Sequence, residues 1–189
     1  MGDTLSSMHP CKPLTLEDLD RIRDTFRFEA DLDATPRQVF DVFEDPDSWP
    51  VWVRAIKRVT WTSPKPFGVG TTRDVEILGG LVTHERFFAW ERDREMGFTF
   101  VGTNKPAVIG LAEHYSVEPL PGDRSRLVWR VAYEPTRLMR PLSPCTRPLV
   151  RLLGARIMKG LERYVRTLPA TGSSELVRLE HAIDGRVAP

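Results

Sequence analysis

Leu149-Val-Arg-Leu-Leu-Gly-Ala-Arg-Ile-Met-Lys-Gly-Leu-Glu-Arg-Tyr-Val-Arg-Thr-Leu168 is the stretch on which the fold turns. Leu149, Leu152, Leu153, Ile157, Leu161, Tyr164, Val165 and Leu168 recur at helical spacing, while Arg151, Lys159, Arg163 and Arg166 take the remaining surface. The spacing predicts one long amphipathic helix from about Leu149 to Leu168. Gly154 and Gly160 each lower its helix propensity by about 1 kcal/mol. Such a loss implies that the helix backbone comes close to a neighbour there, either a strand or a ligand.

Upstream the period changes from that of a helix to that of a strand. Phe26, Phe28, Ala30 and Leu32 alternate with Arg27, Glu29 and Asp31, which is the pattern of a half-buried strand. Thr35-Pro36 then starts a short helix carrying Val39, Phe40 and Phe43, and a second helical turn near Asp47 carries Trp49, Trp52 and Val53. Six further strands are expected: Ile56 to Trp61, Thr71 to Leu78, Leu81 to Glu91, Met96 to Gly102, Ile109 to Pro119 and Arg126 to Glu134. The connectors Gly79-Gly80, Arg92-Asp93-Arg94, Thr103-Asn104-Lys105-Pro106 and Pro121-Gly122-Asp123 suit hairpins, so the sheet is antiparallel. A seven-stranded sheet with one apolar face needs a cover, and only the C-terminal helix is long enough to supply it. The expectation is an α+β fold in which the sheet curls around that helix. Residues 1–23 form an N-terminal extension with a short helix near Thr15 and Asp18, residues 24–168 the domain, and residues 169–189 a polar tail.

Composition removes several functional classes. Lys and Arg number 27 against 26 Asp and Glu, a net charge of +1, so no nucleic-acid partner is expected. No apolar run approaches the roughly 18 residues that a membrane span requires. The N-terminus lacks a basic and apolar leader, and Cys11 and Cys145 stand far apart, which points to the reducing cytoplasm. No pair of histidines has metal-ligand spacing, and there is no nucleophile elbow, phosphate loop or dinucleotide fingerprint. Neither a metal nor a cofactor is expected.

Strand alternation nominates the chemical residues. Leu127, Trp129, Val131 and Tyr133 share one face of the last strand, and Ile109, Leu111, Glu113, Tyr115 and Val117 share one face of the strand before it. Glu113 is the polar intruder in that set. An ionised carboxylate on an apolar face costs several kcal/mol unless paired. Glu113 therefore either meets a cation such as Arg73, which aligns with Val75 and Ile77, or keeps a proton. Met96, Phe98 and Phe100 stack without a polar neighbour. In the strand from Leu81, both faces mix apolar and charged residues, so a bulge is expected to switch faces and the orientation of His84 and Glu85 stays open.

These residues resemble a known superfamily. Ala34-Thr-Pro-Arg-Gln-Val-Phe-Asp-Val-Phe-Glu-Asp-Pro46, Trp49-Pro-Val-Trp52 and Gly68-Val-Gly70-Thr71 carry the likeness, followed by Tyr115-Ser-Val-Glu-Pro119, Gly122 and Arg126-Leu-Val-Trp129. Over roughly residues 24–168 the chain resembles the START-like helix-grip superfamily (SRPBCC), most closely its polyketide cyclase/dehydrase and lipid-transport branch. The resemblance implies an elongated apolar cavity between the curled sheet and the long helix. Its motifs specify fold rather than activity, because members bind lipids, sterols, polyketides or plant hormones and only some are enzymes.

The expected partner is a hydrophobic small molecule, lipid or polyketide-like. Its walls would come from Val75, Ile77, Phe98 and Phe100, from Trp129, Val131 and Tyr133, and from Leu153, Ile157 and Leu161 of the long helix. Arg73, His84, Glu113 and Tyr115 would supply polar recognition. An alternative from a different class is a polyketide cyclase or dehydratase in which Glu113, Tyr115 and His84 move protons on a bound polyketone. A third is an interaction module whose interior is filled by its own side chains. Arg137, Arg140, Arg147, Arg151, Arg156, Lys159, Arg163 and Arg166 crowd the last third of the chain, a basic surface suited to transient contact with anionic membrane headgroups.

Overall fold

The structure, a computed structural model, describes residues 8–106, 108–136 and 143–169. The elements in chain order are β1 (His9–Pro10), α1 (Asp18–Arg21), β2 (Thr25–Leu32), α2 (Pro36–Glu44), α3 (Trp49–Trp52) and β3 (Ile56–Trp61). Then follow β4 (Thr72–Ile77), β5 (Leu81–Glu91), β6 (Glu95–Thr103), β7 (Val108–Leu120), β8 (Arg124–Pro135) and α4 (Ser143–Val165). The start of α2 shows how local chemistry sets an element. Thr35 Oγ1 accepts the Gln38 backbone N–H, Gln38 Oε1 accepts the Thr35 N–H at 2.9 Å, and Pro36 fills the first turn, where its missing donor costs nothing.

The sheet is antiparallel throughout, in the order β2-β8-β7-β6-β5-β4-β3, with β1 as an eighth strand paired to β6. The eighth strand corrects the expected count of seven. Strand β7 last pairs with β6 at Thr99↔Ala112, which leaves the edge of β6 beyond Thr99 without a partner. Residues 9–12 fill that edge: His9 and Pro10 pair with Thr103 and Gly102, the Cys11 N–H reaches the Val101 carbonyl at 3.1 Å, and the Lys12 N–H reaches the Ile109 carbonyl at 2.7 Å. An unpaired edge is satisfied by whatever backbone lies near. The expectations for residues 1–7, for the tail beyond Pro169, for Arg137 and Arg140 and for the Cys145 side chain lie outside the described residues.

Helix α4 begins six residues before the expected start and carries Pro148 within it. It lies across the inner face of the sheet, against β2 and α3. The two glycines explain how close it comes. A Cβ on Gly160 would stand 2.4 Å from the Trp52 carbonyl oxygen, and a Cβ on Gly154 would stand 2.1 Å from the ring of Phe28. The neighbours are thus the α3 backbone and a β2 side chain.

Burial along the helix is uneven. The row Leu149, Leu153, Ile157, Leu161, Val165 steps by four residues, and its exposure falls from 55% and 47% through half-buried Ile157 to 0% and 1%. The expected apolar stripe is therefore covered only over its C-terminal half. Leu149, Leu152 and Leu153, expected against the sheet, are exposed, whereas Met158, outside that stripe, is buried.

Gly160→Ala is expected to cost about 1–3 kcal/mol in urea unfolding, despite the gain in helix propensity, because the Trp52 carbonyl belongs to backbone that cannot rotate away. Gly154→Ala should cost less, since the Phe28 ring can turn aside. Equal costs at both sites would contradict the close approach to α3.

Candidate functional site

The inner face of the sheet holds two buried polar groups, and each solves the problem of burial differently. The first is Arg73 on β4. Strand pairing sets Arg73 opposite Glu85 of β5, and Arg73 Nε donates to Glu85 Oε2 at 2.7 Å with both side chains almost wholly buried. Thr83 Oγ1 donates to the other Glu85 oxygen at 3.1 Å. The guanidinium carbon lies 4.3 Å from the ring centroid of Trp49 and 4.6 Å from that of Phe98, with Phe87 and Trp61 further round. Ring faces carry negative charge density, so they stabilise a cation that water cannot reach. Burial pushes Glu85 above the ordinary carboxylate range, while Arg73 and Thr83 pull it back. Arg73 Nη1 has no hydrogen-bond partner among the described residues.

The second group is Glu113 on β7. Its Oε2 accepts the Tyr115 hydroxyl at 2.6 Å and the Trp129 indole N–H at 2.9 Å. Tyr115 is two residues along the same strand, and Trp129 sits opposite Tyr115 on β8, so strand register alone converges the three. Burial raises the Glu113 pKa from 4.5 to about 7, the two hydrogen bonds holding it lower than burial alone would and the nearby Glu85 charge adding to the rise. Of the two alternatives for Glu113, the pairing with Arg73 is taken up by Glu85, and Glu113 instead has the raised pKa that lets it hold a proton up to about neutrality. Because Oε2 already accepts two bonds, that proton belongs on Oε1. Burial and the adjacent carboxyl drive the Tyr115 pKa well up, so its hydroxyl remains a donor.

Glu113 is surrounded by protein, yet its side chain keeps accessible surface, unlike Arg73 and Glu85. The same holds for inner-face residues toward one end of the sheet. Trp129, Tyr115 and Leu127 are buried, whereas Tyr133, Leu111, Ile77 and Phe28 are half-buried, as is Ile157 of α4. The interior is packed solid around α3, where Phe43, Trp49, Trp52 and Tyr115 form a continuous aromatic cluster, whereas the inner-face residues toward the N-terminal half of α4 are only half-buried. Glu113 stands between the two regions.

Of the other expected wall residues, Val75, Phe98, Phe100, Val131 and Leu161 are buried in the core, and Leu153 is on the exposed stretch of the helix. His84 lies apart: its Nδ1 is 2.6 Å from Asp74, and it alternates with inward-facing Thr83 and Glu85, so it stands on the outer face, away from Glu113. Strand β5 does contain the anticipated irregularity. Its register shifts between Phe87 and Ala89, so that Phe87 and Trp90 both join the inner aromatics, with ring centroids 5.0 Å apart. Sequence reasoning missed Glu85, Thr83 and Trp49 as partners of Arg73; the available signal was that Glu85 alternates with Thr83 and Phe87. Among the described residues no group of His, Cys, Asp or Glu is arranged to hold a metal ion. A separate cleft of about 360 Å³ near Asp33, Arg124, Arg166 and Pro169 is crossed by the ion pairs of Asp33 with Arg124 and Arg166. It has the charged character of a surface feature.

An antiparallel sheet curled around a C-terminal helix, with two short helices after the first long strand, defines the START-like helix-grip class of proteins. Within that class, this chain belongs to the family described as polyketide cyclase/dehydrase and lipid transport, whose model matches residues 23–169. Uncharacterized proteins of Mycobacterium tuberculosis and Mycobacterium bovis are 42% identical over 157 residues, covering 83% of this chain and 93% of theirs. A START superfamily protein of Mycobacterium smegmatis shares the fold at a TM-score of 0.63 and 18% identity, covering 77% of this chain and 99% of its own. A protein of Thermus thermophilus superposes equally well, at a TM-score of 0.63, 18% identity and the same coverages of 77% and 99%. No helix among the described residues is long and apolar enough to cross a membrane.

Two outcomes test the buried groups. Unfolded Glu113 ionises near 4.5 and folded Glu113 near 7, so stability falls as pH rises through that window and levels off above it, by up to roughly 3 kcal/mol. Glu113→Gln should remove this slope and stabilise the protein at pH 8 but not at pH 4, as read by denaturant unfolding at each pH. Arg73→Met should cost about 3–5 kcal/mol by stranding Glu85, and adding Glu85→Gln should recover part of it. Additive losses in the double variant would mean that the pair is not coupled.

Proposed function

We propose that this protein holds a hydrophobic small molecule, lipid or polyketide-like, between the sheet and the N-terminal half of α4. The observation that carries this reading is Glu113: a carboxyl on the inner face, its pKa raised to about 7 by the protein around it, and still only half-buried. A solid core would have no use for such a group, since an apolar residue there would be cheaper. The ligand's apolar body lies against Phe100, Val131, Tyr133 and Ile157. Its polar end, a carbonyl oxygen, accepts the proton on Glu113 Oε1, while Tyr115 and Trp129 hold the other carboxyl oxygen in place. Burying about 300 Å² of ligand contributes roughly 7 kcal/mol. A micromolar complex needs about 8 kcal/mol, so the contact at Glu113 decides which ligands bind. The family's description, which joins lipid transport with cyclase and dehydrase activity, supports a ligand of this kind.

A second reading rests on the same carboxyl. A Glu with a pKa of about 7 is poised to give and take protons, so a bound polyketone could be enolised or dehydrated there. His84 has no part in it, being on the outer face. Binding remains the conclusion because one carboxyl and one committed Tyr115 hydroxyl supply recognition without a second free acid or base.

Native mass spectrometry of the purified protein, with extraction of the bound fraction into organic solvent, is expected to reveal a small apolar molecule. Its affinity in the wild-type protein should fall as pH rises through about 7, when Glu113 loses the donated proton, and should be flat with pH in the Glu113→Gln variant. No bound molecule, or a pH-independent wild type, overturns the proposal. If instead Glu113→Gln leaves affinity intact and abolishes turnover of a polyketone, the enzymatic reading replaces it.

A further inference from the structure

We propose that the N-terminal half of α4 docks this protein on an anionic membrane surface, with Leu149, Leu152 and Leu153 entering the interface beside Arg156 and Lys159, which follow them on the same side of the helix. The three leucines are 55%, 49% and 47% exposed, and their spacing of three and four residues places them on one side of the helix. A cluster of half-exposed leucines on a helix otherwise seated in a core marks a surface built to be covered.

The charges indicate what covers it. Helix α4 carries five cations and one carboxylate, Glu162. Arg147 is committed, donating to Asp24 at 2.9 Å and so pinning the helix start to the chain before β2. Arg151, Arg156 and Lys159 are exposed, and none forms an ion pair among the described residues. On the sheet and its turns, Arg58, Arg92, Arg124, Arg126 and Arg130 each meet a carboxylate, whereas Lys57 and Arg86 form no ion pair among the described residues. The helix thus concentrates uncompensated positive charge on a chain whose net charge is only +1.

Apolar side chains with cations beside them on one side of a helix match the layering of a bilayer surface, with acyl chains below and phosphate groups at the level of the cations. A second copy of the chain fits poorly, because a two-fold contact would bring one set of cations against another. Nucleic acid offers phosphates but nothing for the leucines. The row Leu149, Leu153, Ile157 leads from the exposed leucines to the half-buried inner face, so docking would present the site of the proposed function to the lipid.

The test is co-sedimentation of the full chain with vesicles of equal parts phosphatidylglycerol and phosphatidylcholine, beside vesicles of phosphatidylcholine alone. Binding is expected on the anionic vesicles, weakened by salt, and little on the zwitterionic ones. Arg156→Glu with Lys159→Glu should lower the partition coefficient about twentyfold or more. Arg156→Lys with Lys159→Arg should bind as the wild type does. Leu149→Ser with Leu152→Ser should weaken binding roughly tenfold. Leu153 is left intact in that variant because it borders the interior, and unchanged melting temperatures confirm that the variants fold. Equal binding to both vesicle types, no binding to either, or indifference to both sets of substitutions overturns the proposal. So does a dimer in sedimentation velocity that the leucine substitutions dissociate. Retention of the co-purified apolar molecule, read in the same variants, separates a failure of docking from a failure of ligand holding.

Discussion

The approach of α4 to the α3 backbone governs the rest of the molecule. With no side chain at Gly160, the helix comes near enough to the Trp52 carbonyl that even a methyl group would collide. That contact seats the C-terminal half of the helix, where Leu161 and Val165 close over the aromatic cluster of Phe43, Trp49 and Trp52. The N-terminal half of the same helix is less covered, leaving Leu149, Leu152 and Leu153 exposed and Ile157 half-buried.

Two ways of burying polar chemistry meet at the boundary between the buried and half-buried regions. Arg73 stays charged because Glu85 is opposite it in register and aromatic rings enclose it, which makes it a fastening for β4, β5 and α3 rather than a group free to greet a ligand. Glu113 lacks a cation of its own and stays near neutral, held by a phenol and an indole. The difference in role follows from which partner the strand pairing supplies. A charge that is paired and sealed contributes to the architecture, whereas a half-buried acid with a raised pKa is available for recognition.

Much of this was legible beforehand. The alternation of β7 and β8 placed Glu113, Tyr115, Trp129 and Val131 on one face because a strand's side chains have a period of two whatever the context. The same rule left β5 undecided, since its irregularity at Phe88 breaks the period and brings Phe87 and Trp90 to one side. His84 and Glu85 could be separated only once the pairing with Asp74 and Arg73 was known. The edge strand at His9 and Pro10 had no pattern of its own to reveal it, being created by the early departure of β7 from β6.

The sequence by itself determined the order of elements from α1 onward, the antiparallel sheet, the need for the last helix to cover it and the presence of one anomalous carboxyl on the inner face. These follow from local periodicity, turn chemistry and the cost of exposing an apolar sheet. Only the tertiary structure decided that Glu85 rather than Glu113 answers Arg73, that Leu149, Leu152 and Leu153 face outward, and that the inner-face residues at one end of the sheet are only half-buried. Those outcomes depend on strand register and on how far a helix stands from a sheet. Both arise from contacts between residues distant along the chain, such as Gly160 with Trp52, which no reading of neighbours in sequence contains.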